Sequence, residues 1–109
     1  MKKFLVLYRA PNSAREQMAN STPEQAKKGM EMWMAWANKA GPAIVDLGSP
    51  LADPQTIGGA SSATGHIGGF SVLQGESIDH IRKVLDGHPH FMMPGGTIDV
   101  LEFLPIPGM

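Results

Sequence analysis

The stretch KKFLVLYR, Lys2 to Arg9, has the β-branched and aromatic content of a strand, and its apolar run is nearly continuous. Leu5 and Leu7 alternate with Val6 and Tyr8, so both faces of this strand are apolar and both require cover. It is therefore expected to be the first and central strand of a sheet. Three further strands are read in AIVDLGS (43–49), HIGGFSVLQ (66–74) and GTIDVLEFLPI (96–106). Gly68 and Gly69 in the third allow a bulge or the close approach of another backbone.

Two helices fall between them. Thr22 can cap the first, Pro23 fits its first position, and Gln25 stands where a capping box needs it. Ala26, Met30, Trp33, Met34 and Ala37 then recur at helical spacing, Met32 and Trp36 widen the apolar arc, and Gly41 with Pro42 ends the run. Ser77 caps the second helix, whose buried stripe is Ile78, Ile81, Val84 and Leu85. Gly87 stops it and Pro89 forbids its continuation. APNSAREQMANS (10–21) reads as polar and turn-rich. PLADPQTIGGASSAT (50–64) reads as a long functional loop, with room for a short hairpin around Thr56 and Ile57.

The order strand, helix, strand, strand, helix, strand predicts an α+β, ferredoxin-like βαββαβ chain with a four-stranded antiparallel sheet and both helices on one face. The other face, apolar in the first and fourth strands, is expected to pack against a copy of itself, closing a dimeric α+β barrel. The 109 residues suffice for a single domain with one core, 1–109.

A net charge of −1 with no basic run leaves no footprint for nucleic acid. Phe4 to Tyr8 is too short for a signal-peptide core or a membrane span, so neither export nor membrane insertion is expected. The absence of cysteine excludes thiolate nucleophiles and thiolate metal sites and fits the cytoplasm. No GxSxG, Walker A or dinucleotide glycine motif is present, and the cofactor is left unnamed.

The candidate chemistry lies in DGHPHFMMPGG, Asp86 to Gly96. Proline disfavours the helical region for the residue before it, so HPH is expected to be extended, with His88 and His90 on one side about 7 Å apart. Histidine titrates near neutral pH without large help from its surroundings, which makes His88 and His90 the candidate acid–base pair. Asp99 is the candidate carboxylate to orient one of them, with Glu102 facing the opposite way. Ion pairing of these carboxylates with Lys3 or Arg9 is the competing structural reading. Arg9 could clamp a substrate carboxylate, with Tyr8 beside it and His66 lining the cavity with the long loop. His80 reads as a solvated surface residue. One HxH without a fixed third ligand assigns no metal.

GGFSVLQGESIDHIRKVLDGHPHF (68–91) and GGTIDVLEFLPIPGM (95–109), in this order of elements, resemble the YCII-related (DGPF) family of the dimeric α+β barrel superfamily. The resemblance implies a ferredoxin-like subunit, a homodimer, and a small-molecule cleft near the end of the second helix, serving acid–base chemistry in some members. The DGPF signature itself is missing. Gly29 and Met30 stand near the place of the family's helix histidine, and HPH replaces its Asp-Pro-aromatic segment. The cleft's location therefore carries over to His88, Pro89 and His90, and the family's histidine–aspartate dyad does not. Three readings follow: an acid–base lyase or isomerase, a non-catalytic small-molecule binder, or a dimerisation module with structural histidines.

Overall fold

The computed structural model describes residues 1–59 and 66–108. Its elements are β1 (Lys2–Ala10), α1 (Ala14–Asn20), α2 (Pro23–Ala40), β2 (Ile44–Pro50), β3 (His66–Gly75), α3 (Ile78–Leu85) and β4 (Thr97–Glu102). Short 3₁₀ turns at Gly41–Ala43 and Pro89–Met92 precede β2 and β4. The sheet runs β2-β3-β1-β4 and every neighbouring pair is antiparallel. KKFLVLYR thus lies in an inner strand, as its two apolar faces require. The chain is α+β and ferredoxin-like.

Alternation along β1 divides the sheet. Phe4, Val6, Tyr8 and Ala10 are buried, and with Leu73, Trp36, Ile81 and Leu85 they build the core between sheet and helices. Leu5 and Leu7 face the other way, beside Val72 and Phe70 of β3 and Leu101 and Asp99 of β4. The molecule is only 20 Å thick, the depth of one sheet and one helix layer, and no described element covers that second face.

The local signals act as their chemistry directs. Thr22 and Gln25 form the capping box of α2, and Ser77 accepts from the His80 amide at the start of α3. Gly87 takes φ +72°, a left-handed stop after α3. The β1–β3 register shifts between Tyr8 and Arg9, where Gly69 and Ile67 are the partners and Gly68 is skipped. A Cβ on Gly69 would stand 3.0 Å from the Ser49 carbonyl oxygen, so β2 makes the close approach that the glycine pair allows.

Four expectations are corrected. Ile78, expected in the buried stripe of α3, is exposed in its first turn, and Ile81 and Leu85 carry the burial. The polar stretch after β1 contains a helix, α1, because Ser13 accepts from the Glu16 amide and nucleates a turn. Trp36 is core, whereas Met30 and Met34 are exposed at 62% and 44%, so the buried face of α2 is narrower and turned toward Trp33, Trp36, Ala37 and Ala40. No strand occurs at Thr56 and Ile57, and Ile57 is exposed. The rest of the long loop, 60–65, lies outside the described residues.

Candidate functional site

The segment after α3 folds against the core rather than along it. His88 keeps the extended conformation that Pro89 imposes on its predecessor, at φ −59° and ψ 137°. Pro89 then opens a 3₁₀ turn, for which its fixed φ is equally suited, so the HPH segment is not extended throughout. The His88 side chain caps this turn: Nδ1 accepts from the His90 amide at 3.0 Å. The turn sends the two imidazoles to different tasks.

His90 donates from Nε2 to the carbonyl oxygens of Arg9 (2.8 Å) and Thr97 (3.0 Å). Both partners can only accept, so this nitrogen carries the proton. The ring joins the turn to the β1–β4 end of the sheet.

His88 is 1% exposed and enters a box of aromatic rings. Tyr8 stacks on it at 5.0 Å with 26° between planes. Trp33 and Trp36 meet it edge to face at 4.5 and 4.3 Å. These walls are held in place. Trp36 Nε1 donates to the Val84 carbonyl, tying α2 to α3. The Tyr8 hydroxyl lies 2.9 Å from Ser71 Oγ, which itself donates to the Leu47 carbonyl at 2.6 Å, so the phenol proton goes to Ser71. Burial raises the Tyr8 pKa, against the opposing pull of the Ser71 hydrogen bond, and keeps the phenol neutral.

Burial, and then the proximity of His90, lowers the His88 pKa to about 4. The ring is therefore neutral at pH 7. Its Nδ1 is occupied as an acceptor, which leaves the proton on Nε2. That nitrogen has no hydrogen-bond partner, and among the described residues it is the one buried side-chain polar atom in that condition. A neutral imidazole so arranged offers an N–H to an incoming oxygen. It is a poor base, since its free nitrogen already holds the proton.

The structure does not bring Asp99 to either histidine. Asp99 lies opposite Leu7 on the uncovered face and bonds the Arg9 guanidinium there, while both imidazoles lie on the helix side. Parity along the strands fixes this separation, because residues an even number apart share a face. Arg9 is thereby engaged on the sheet face away from the aromatic box. Glu102 pairs with Lys2 at 3.4 Å, not with Lys3. His66 lies at the outer end of β3, with Nδ1 3.4 Å from Asp53 of the long loop. Of the residues expected from sequence, His88, His90 and Tyr8 assemble, whereas Arg9, Asp99 and His66 lie elsewhere.

No family model and no curated protein matches the chain. A solved structure does. Over 95% of this chain and 94% of the other, it is similar to 5-chloro-2-hydroxyhydroquinone dehydrochlorinase (TftG) from Burkholderia phenoliruptrix AC1100, in complex with 2,5-dihydroxybenzoquinone, at TM-score 0.56 and 16% identity. The two chains share one α+β fold, here a four-stranded antiparallel sheet with its helices on one face. At that identity the likeness is one of architecture.

Sequence reasoning missed Trp33, Trp36 and Ser71 as parts of the site. A signal existed for each. Trp33 and Trp36 are three apart on one helix and so share a face, and Ser71 is the polar residue among the inward positions Gly69, Leu73 and Gly75 of β3.

Proposed function

We propose that this protein acts on a small, planar, oxygen-bearing molecule, with the Nε2–H of His88 as the hydrogen-bond donor to a ligand oxygen. The carrying observation is that buried, unpartnered nitrogen within a box of flat rings. An unpaired buried donor costs roughly 1–3 kcal/mol, and a ligand oxygen would recover that cost. A neutral imidazole that donates to an oxygen stabilises negative charge developing there, as in an acid–base elimination or isomerisation of a hydroxyaromatic or enolisable substrate. In this reading His90 holds the turn in register and Tyr8 supplies a stacking surface. The architectural likeness to an enzyme bound to a dihydroxybenzoquinone supports the ligand class. It also supports the YCII-like reading of the sequence, in which two chains join through their uncovered sheet faces.

Binding without turnover is the second reading. It is favoured by one observation: among the described residues no carboxylate lies within 4 Å of either ring nitrogen of His88 or His90. Isothermal titration with 2,5-dihydroxybenzoquinone tests the shared premise. Saturable binding is expected, weakened at least about tenfold in His88→Phe, which keeps a ring but removes the donor. Equal affinity in that variant overturns the assignment. Elimination of chloride from a chlorinated hydroxyhydroquinone, measured on the same preparations, separates enzyme from binder.

A further inference from the structure

A second cleft, of about 330 Å³, opens where the C-terminal ends of α2 and α3 meet beside β3. Lys39 belongs to the last turn of α2 and Lys83 to the last turn of α3, and both line it together with His80. The apolar part of its wall includes Ala40, Ala43 and Val84. No acidic residue lines the cleft, and among the described residues neither lysine has a carboxylate within 4 Å. Glu76, Asp79 and Asp86, the acidic residues nearest in sequence, are not part of its wall.

The polarity of His80 adds to this. Its Nδ1 accepts from the Glu76 amide at 3.3 Å, which leaves the proton of the neutral ring on Nε2. Gln74 is fixed across the cleft by donation from its side-chain amide to the Pro42 carbonyl at 2.8 Å. The lining thus brings Lys39, Lys83, His80 and the N-terminal Met1 together with an apolar wall and no carboxylate-bearing residue.

From this we infer that the cleft binds a small aliphatic carboxylate, its head held by Lys39, Lys83 and His80 and its chain laid against Ala40, Ala43 and Val84. Lysine ammonium groups provide point charges that tolerate a range of head-group positions. The apolar wall sets the preference for a carboxylate with a hydrocarbon chain over a bare inorganic anion. This inference is independent of the function assigned to His88.

Nuclear magnetic resonance titration of the isotope-labelled protein at low ionic strength tests it, with butyrate, acetate and inorganic phosphate as probes and sodium chloride as the ionic-strength control. Butyrate is expected to shift the amides of Gln74, Lys83 and Val84 in a saturable way, with acetate roughly tenfold weaker for want of two methylenes. The double variant Lys39→Gln/Lys83→Gln should lower butyrate affinity by roughly tenfold, the loss of two exposed charge contacts. Butyrate affinity unchanged in the double variant, acetate or phosphate binding as tight as butyrate, or no saturable shift would each overturn the assignment.

Discussion

His88 occupies the interior as a neutral ring with its acceptor used and its donor free, and this sets how the protein responds to acid. Its pKa falls from 6.5 to about 4 on folding, chiefly by burial. Between those values the unfolded chain binds the proton that the folded chain refuses. Stability from this group is therefore complete above about pH 6.5 and is lost as pH falls toward 4. The limit of the effect is on the order of 3 kcal/mol. Urea unfolding at pH 7 and pH 4.5 should show a large drop in midpoint for the natural chain and a smaller one for His88→Phe. Equal drops would refute the account. The two histidines were legible in the sequence as the residues worth attention, but their roles were not. Which ring nitrogen is free depends on a turn that closes through His88 Nδ1 and, for His90, on the Arg9 carbonyl 81 positions away. No local pattern encodes that.

At the scale of elements, signals carried by single residues were readable and those set by packing were not. Thr22, Ser77 and Gly87 end or begin helices by local chemistry, and their sequence reading agrees with the structure. The buried side of α2 was harder, because a helix with apolar residues on several flanks does not say which flank meets the sheet. The glycines show the same division. Gly48 has φ +87°, and a Cβ there would overlap the Phe70 carbonyl oxygen of the neighbouring strand at 1.6 Å. Backbone cannot yield as a side chain can, so Gly48→Ala should separate β2 from β3 and destabilise by several kcal/mol. Gly29, in the middle of α2, has nothing within 4 Å of that position. Gly29→Ala should stabilise by about 0.5–1 kcal/mol through the helix backbone alone. Chemical denaturation of the two variants beside the parent reads both signs at once.

The whole molecule is a two-layer structure with one apolar sheet face left open. This much followed from KKFLVLYR, because an inner strand with leucines on one side and Val6 and Tyr8 on the other declares that both sides need cover. What lies on the open face is a matter of assembly, and in the proposed pairing Leu5, Leu7, Phe70, Val72 and Leu101 would meet their counterparts around the Arg9–Asp99 ion pair. Leu101 is 47% exposed there and contributes little to the monomer's own core. Leu101→Glu would bury an unpaired carboxylate at such an interface, at a cost of several kcal/mol. Sedimentation should find the natural chain paired at micromolar concentration and the variant single, with its unfolding midpoint close to that of an isolated subunit. A monomeric natural chain would remove the pairing from the scheme.

Both tryptophans of the chain lie within 4.5 Å of the same imidazole. An imidazolium draws electron density from an excited indole and dims its emission, while a neutral ring does so weakly. Whatever protonates or displaces His88 is thus registered in the intrinsic fluorescence, giving the interior an optical gauge that needs no added label.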